Sequence, residues 1–315
     1  MKGITDFANQ YIYTYVCHET ERDLCQMEIR SLFGKDVDTS TYILSSKEIN
    51  PSRSAFISMR LNVSYALSSL DQLCDRLGQV EIGDATFKVV YMKAGDPFTY
   101  EEQRSLERKT GACINGTANM RSPDVRFGLM AIQGIWVWGE CQSPPESIRL
   151  KHKDKPQNYS TGLPVHVARA LVNIVIPDAI KVRAIDPCCG MGNVLIEALS
   201  MGIDMVGCDI NPLAVKGARV NLAHFGYPDV VKLGDMNNLV EEYDAAILDM
   251  PYNLCSVISE EDQLRMLRSL RRLSKRAIIV STLSVQHLVE QAGFRVIDQC
   301  IVSKGSFVRN VWLGE

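Results

Sequence analysis

Apolar residues in the second half of the chain fall into short runs at regular intervals. Runs at 182–186, 204–208, 229–233, 243–249, 276–281, 295–302 and 306–312 read as strands, and segments of helical period separate the first six. Such alternation makes a mostly parallel sheet covered on both faces. Only residues 303–305 join the last two runs. That is too short for a parallel crossover, so the seventh strand runs antiparallel. The helix expected over 262–275 sets Leu264, Leu267, Leu270 and Leu273 on one side, with Arg265, Arg268, Arg271, Arg272 and Lys275 on the other.

The first half has a different rhythm. Short strands at 11–17, 54–63, 86–92, 125–132 and 135–140 alternate with helices at 21–33, 68–77 and 100–110, an α+β pattern. Gly111 stands where the third helix would take its C-terminal cap, and Gln133-Gly134 forms the hairpin turn. Between the halves, residues 142–162 carry three prolines and several lysines with almost no apolar periodicity, the composition of a linker.

Length and composition agree with two cores. The chain has 315 residues, 46% hydrophobic and 23% charged, which excludes disordered and low-complexity classes. No apolar run is long enough to cross a bilayer and the first twenty residues lack an apolar leader core, so a cytoplasmic protein with no membrane partner is expected. Ten cysteines without a C-x-x-C pair read as reduced thiols, and the five histidines, far apart in sequence, as surface or capping groups, so no metal is expected. A net charge of −3 excludes nucleic-acid binding by bulk electrostatics and leaves only local basic patches. No obligate protein partner is evident.

The candidate chemistry lies at consecutive strand ends. After the first run of the second half comes Asp186-Pro187-Cys188-Cys189-Gly190-Met191-Gly192. Its glycines let the backbone pass close to a ligand, and Asp186 can accept from a cationic or hydroxylated group. A G-x-G pair is also an ordinary tight turn, and Leu195 occupies the place of the third glycine of the nicotinamide fingerprint. Asp209, followed by Ile210, is placed to accept both hydroxyls of a ribose, while Asp209 or Asn211 equally suits the cap of a helix beginning at Pro212. Asp235 could meet an adenine amine with Met236 beside the ring. Cys188 and Cys189 have no histidine near in sequence to activate them, so they read as backbone contacts to a cofactor.

The discriminating segment is Asp249-Met250-Pro251-Tyr252, directly after an apolar strand. The amine of a nucleobase is a poor nucleophile because its lone pair is delocalised into the ring. A carboxylate (Asp249) and a backbone carbonyl (Met250 or Pro251) that accept its two hydrogens localise that pair. Tyr252 offers a face on which the base stacks, worth about 1–3 kcal/mol. In isolation the segment is also a strand-end turn with a packed tyrosine.

With these residues in place, 182–312 resembles a class I S-adenosyl-L-methionine-dependent methyltransferase. Residues 186–192 correspond to its first motif, Asp209 to its second, Asp235 to its third and 249–252 to the D-P-P-Y motif of amino-methylating enzymes. Residues 161–174 (TGLPVHVARALVNI) resemble the segment before the first motif in THUMP-domain RNA methyltransferases that modify guanine N2 in tRNA. Residues 87–140 are similar to a THUMP domain. The resemblance implies a ferredoxin-like region at 1–80, a THUMP-like RNA-binding domain at 81–142, a linker at 143–162 and a Rossmann-like methyltransferase domain at 163–315. It implies S-adenosyl-L-methionine as cofactor, tRNA as partner and a methylated guanine N2 as product. The cofactor would be held by Asp186, Pro187, Cys188, Gly190, Gly192, Asp209, Ile210, Asp235 and Met236, and the target amine by Asp249, Met250, Pro251 and Tyr252. Met250 departs from the first proline of D-P-P-Y and Asn253 from a frequent glycine. The acceptor carbonyl survives both changes, but the fixed dihedral of proline does not.

The same chemistry fits adenine N6 or cytosine N4, so a DNA or ribosomal-RNA amino-methyltransferase is an alternative, as is an inactive RNA-binding relative. Candidate phosphate contacts are Lys93, Arg104, Arg108, Lys109, Arg121 and Arg126 in the first half and Arg149, Lys151, Lys153 and Lys155 in the linker.

Overall fold

The computed structural model describes residues 4–36, 41–145, 151–159, 162–251, 258–304 and 307–315. It divides into two units. The first comprises Met1–Val16, Val37–Ser52 and Phe56–Pro144; the second comprises Cys17–Asp36, Arg53–Ala55 and Pro145–Glu315. The first helix, α1 (Arg22–Phe33), therefore belongs to the second unit.

The first unit is built on one mixed sheet of β1 (Tyr11–Tyr15), β2 (Tyr42–Ser45), β3 (Ile57–Leu67), β4 (Glu81–Tyr91), β5 (Asn115–Ala118), β6 (Val125–Ile132) and β7 (Ile135–Gln142). Their order is β2-β1-β3-β7-β6-β4-β5, with β4 parallel to β5 and β6 and the other pairs antiparallel. Period-two alternation along β6 sends Phe127 and Leu129 into one apolar cluster and Met130 and Ile132 into another. Helices α2 (Leu70–Leu77) and α3 (Tyr100–Ala112) bring Leu73, Leu77 and Leu106 to the cluster of Phe127, whose ring stacks on Trp138 at 4.4 Å. The strands run through both regions expected at 1–80 and 81–142, so the boundary expected at residue 80 falls inside a unit. β2 and β5, four residues each, lie outside the expected strands, and β5 is exposed at every position, so it has no apolar pattern to read. Helix α3 continues through Gly111 to Ala112, with Cys113 as its right-handed C-cap, so Gly111 is not the cap.

In the second unit the sheet comprises β8 (Arg183–Asp186), β9 (Asp204–Asp209), β10 (Val231–Leu233), β11 (Tyr243–Asp249), β12 (Ser274–Ser281), β13 (Val296–Lys304) and β14 (Phe307–Gly314). Their order is β10-β9-β8-β11-β12-β14-β13. The first five pair in parallel and β14 is antiparallel to both neighbours, as the short final connection requires. Helices α4 (Val165–Val175), α5 (Asn193–Ser200), α6 (Pro212–His224), α7 (Glu260–Leu273) and α8 (Gln286–Gln291) accompany it. Between β10 and β11 the expected helix is only a 3-10 turn at Met236–Asn238. Helix α7 is capped by Ser259, whose hydroxyl accepts from the Asp262 amide, and ends at Leu273, two residues before the expected helix end, where β12 begins at Ser274. The chain leaves β8 toward β9 on one side and returns to β11 on the other. In open α/β sheets, ligands bind at such a reversal, outside the carboxyl ends of the strands.

Polar side chains fix the elements around this sheet. Helix α1 buries Leu24, Met27, Ile29 and Leu32 and packs against α4 and β13, where Arg30 forks onto Asp298 with two bonds of 2.9 Å. The pattern of 21–33 gives the apolar face but cannot name what covers it. On the same helix Glu28 is fully buried and accepts from Ser54 Oγ (2.5 Å), the Ala55 amide (2.9 Å) and Asn173 Nδ2 (2.7 Å). A second buried group joins Glu197 to His152 Nδ1 (2.6 Å) and Arg169 Nη1 (2.5 Å). His152 is thus a core residue, against the surface or capping role expected of it. The linker expected at 143–162 is partly core as well, since Lys155 is only 9% exposed. Among the described residues no helix is long and apolar enough to cross a membrane.

Candidate cofactor and substrate cleft

The carboxyl ends of β8, β9, β10 and β11 converge on a cavity of about 560 Å³. Eleven of the expected residues line it: Asp186, Pro187, Cys188, Gly190, Asp209, Ile210, Asp235, Met236, Asp249, Met250 and Pro251. Gly192 does not. It stands at the N-cap of α5 with φ +80° and turns the loop into the helix. Tyr252 and Asn253 lie outside the described residues, as do Thr161 and Arg149.

Local chemistry explains the loop. Gly190 has φ +51°, and a Cβ built on it would meet nothing within 4 Å, so its backbone faces open cavity. The Asp209 carboxylate holds the loop from the next strand, accepting the Gly190 amide at 2.8 Å and the Asn211 amide at 2.8 Å. Asn211 caps α6 by accepting the Leu213 amide, with Pro212 following. Of the two capping candidates, Asn211 takes the cap and leaves Asp209 facing the cavity. Gly207 permits the close packing behind the loop, since a Cβ there would stand 2.6 Å from Leu195 Cδ1 and 2.9 Å from Cys189 Sγ. Asp235 starts the 3-10 turn by accepting the Asn237 amide at 2.9 Å.

The floor and the rim differ in polarity. Asp186 is 2% exposed. Burial pushes its carboxyl well above the usual carboxylate range, and Asp249 and Asp209 push the same way against the Cys188 amide that it accepts. Burial likewise raises the Cys188 and Cys189 thiols, with Asp186 adding to it, so neither is an activated nucleophile. Cys188 Sγ lies 3.7 Å from Met236 Sδ, and the two sulfurs form a soft apolar patch on the cavity wall. Ile210, by contrast, is 71% exposed at the rim, an apolar side chain open to solvent.

Sequence reasoning missed two parts of the wall. Tyr159, Leu163 and Asn193 close one side, and Ile258, Asp262, Arg265 and Met266 close the other. Asn193 directly follows Gly192, the turn glycine at the N-cap of α5, and that adjacency is the sequence signal that could have found it. Arg265 is the member of the basic face of α7 that reaches the cavity, held by Asp262 at 2.8 Å. Arg271 and Arg272 instead bind backbone carbonyls at Gly293 and Asn237.

The strand order and the reversed last hairpin are those of the class I methyltransferases. Residues 153–291 match the model of the UPF0020 family, the RMKL-like methyltransferase domain. The chain is 28% identical over 213 residues to the tRNA (guanine(10)-N2)-dimethyltransferase of Pyrococcus abyssi, covering 62% of this chain and 64% of that one. It is 36% identical over 122 residues to the protein of the same name from Methanothermobacter thermautotrophicus, covering 37% and 35% of the two chains. The matches therefore span less than two thirds of these relatives. Among solved structures, TrmN from Thermus thermophilus shares the fold with a TM-score of 0.50 at 17% identity, over 97% of this chain and 99% of that one.

Proposed function

We propose that this chain binds S-adenosyl-L-methionine in the cleft and methylates the exocyclic N2 of a guanine in tRNA, as a cytoplasmic enzyme. The observation that carries the reading is the convergence of Asp186, Asp209, Asp235 and Asp249 on one cavity, each at or just beyond the end of its strand. The residues fit such a ligand. Asp209 retains lone pairs for ribose hydroxyls beside its two amide partners, Met236 and Ile210 offer apolar surface to adenine, and the open backbone at Gly190 lets the ligand pass close.

When bound, the cofactor supplies a methyl group on an electron-poor sulfonium. The protein's part is positioning, for which a bimolecular encounter can gain about 7–11 kcal/mol. Asp249 and the carbonyl of Met250 or Pro251 accept the hydrogens of the target amine and localise its lone pair. Tyr252 stacks on the base, which must leave the RNA helix to reach the cavity. The methylated amine is acidic enough to lose its proton without a strong base, so Asp249 acts as acceptor first and proton relay second.

Guanine in tRNA is favoured over other amines by the names of the relatives. The first unit would hold the RNA, with the ferredoxin-like and THUMP-like readings applied to its one continuous sheet. Lys93, Arg104, Arg108, Lys109, Arg121 and Arg126 are all exposed, Arg104 and Lys109 being paired with Glu107 and Asp71. Transfer of labelled methyl groups to a panel of tRNA, ribosomal-RNA and DNA substrates tests this reading. It requires label in tRNA guanosine, and label confined to adenine or cytosine contradicts it.

A further inference from the structure

A second, smaller cavity of about 120 Å³ adjoins the cleft. Met250, Pro251 and Ile258 line both, so the segment whose carbonyl would take the target amine stands at the junction. The rest of the wall is Gln263, in the first turn of α7, and Ser281, Thr282 and Leu283 at and beyond the end of β12. Register explains the position. Asp249 pairs with Val280 across parallel strands, and the Met250 amide donates to the Val280 carbonyl at 2.9 Å, which holds the chain after β11 beside the end of β12. Because the strand order is β8-β11-β12, this cavity lies on the side of Asp249 away from the ends of β8, β9 and β10.

Its wall carries a buried amide. Gln263 is 9% exposed. Its Nε2 donates to the Ile258 carbonyl at 3.5 Å, and since only the nitrogen can donate to a carbonyl, that contact leaves Oε1 as the free end of the amide. Oε1 has no hydrogen-bond partner among the described residues, and unlike the enclosed Trp138 Nε1 it is not shut off from the cavity. In the reading given above, the cofactor takes the ends of β8 to β10 and the amine sits at Asp249, so the ring of the base extends into the smaller cavity. The ring nitrogen beside the amine then distinguishes the bases. Guanine has N1–H, a donor, next to N2. Adenine N1 and cytosine N3, next to N6 and N4, are bare acceptors. An acceptor in the wall pairs with the first and repels the other two. We propose that Gln263 Oε1 accepts the N1–H of the target guanine and so restricts methyl transfer to that base. This rests on the guanine reading of the site.

The test uses the full chain and tRNA transcripts in which the guanosine that wild type methylates, once located, is kept or replaced by 2-aminopurine. That base retains the 2-amine but has a bare N1. Methyl transfer to each transcript is measured as kcat/KM for wild type and Gln263→Leu. Wild type is expected to prefer guanine by about tenfold or more, because the analogue leaves a buried acceptor facing a lone pair. Gln263→Leu is expected to keep a preference of at most about threefold. The ratio between two substrates on one preparation does not depend on how much of the variant is folded. Cofactor affinity of the variant, measured by calorimetry, is expected within about twofold of wild type, as Gln263 lies outside the cofactor cleft. Equal use of the two transcripts by wild type overturns the proposal with no variant involved. So does a Gln263→Leu that retains the wild-type preference. Wild type that methylates no guanosine in tRNA overturns the guanine reading and this inference together, whereas guanosine methylation that ignores N1 overturns this inference alone.

Discussion

Asp209 reaches back from the end of β9 to accept the backbone amide of Gly190 at 2.8 Å, so the acid of one strand end shapes the loop of the next. Asp209→Ala then removes the anchor of the loop and, in the proposed reading of the cleft, a ribose acceptor. The expected outcome is weaker binding of S-adenosylhomocysteine by about 1.5–3 kcal/mol, the worth of hydrogen bonds to a charged group. Calorimetry on the folded variant measures it, and unchanged affinity removes Asp209 from the site.

Glu28 gives the fold a pH dependence of predictable sign. Burial pushes its carboxyl above the usual range, against the hydrogen bonds from the Ala55 amide, Ser54 and Asn173. The folded chain thus keeps this proton to higher pH than the unfolded one. The stabilisation is complete below the unfolded value, about pH 4.3, and is lost as pH rises through the folded value. Glu28→Gln should therefore gain stability relative to wild type as pH rises from 4 to 7. Denaturant titrations at several pH values decide it, and a difference that does not vary with pH contradicts the buried-proton account.

The basic residues before α4 divide by burial. Lys151 and Lys153 are exposed, while Lys155 is buried, and burial lowers its pKa with Glu197 opposing. Lys155, expected as a phosphate contact, is not available as one. Replacing Lys151 or Lys153 by Gln should lower the log-log salt slope of RNA binding by about 0.7–0.9 each. Lys155→Gln should leave the slope unchanged and lower the melting temperature instead.

Arg169 and Glu197 form a buried ion pair, with His152 on the second carboxylate oxygen. Arg169→Leu leaves Glu197 in the core hydrogen-bonded to the His152 imidazole, with Lys155 nearby. The expected cost is about 3–5 kcal/mol of stability, as for other broken buried pairs. Urea unfolding measures it, and a loss below about 1 kcal/mol would show that His152 compensates.

How much of this was legible in the sequence depends on the kind of interaction. The second sheet was, because its central strands β8, β11 and β12 are largely buried runs set between turn residues, and the reversal of β14 followed from the few residues joining it to β13. Asp186, Asp209 and Asp249 were legible because each closes a largely apolar strand, and Asp235 because it lies two residues past one. What covers α1 was not, since periodicity names the buried face and not its partner across 130 residues of chain. Nor was the burial of His152 and Lys155, whose surroundings in sequence are polar. Glu197, which bonds His152 and attracts Lys155, sits inside α5 and looks from sequence like an ordinary exposed helix residue. Asn193 belongs to no motif in the sequence, and its place in the cavity wall follows only from the fold, where its amide donates to the Leu163 carbonyl.

The most direct measurement of the central claim is nucleoside mass spectrometry of unmodified tRNA incubated with S-adenosyl-L-methionine and either wild-type chain or Asp249→Ala, with cofactor affinity measured on both proteins. The account predicts N2-methylated guanosine with wild type, none above background with Asp249→Ala, and similar cofactor affinity for the two. Equal methylation by both proteins, or wild-type product found only on adenine or cytosine, would contradict it.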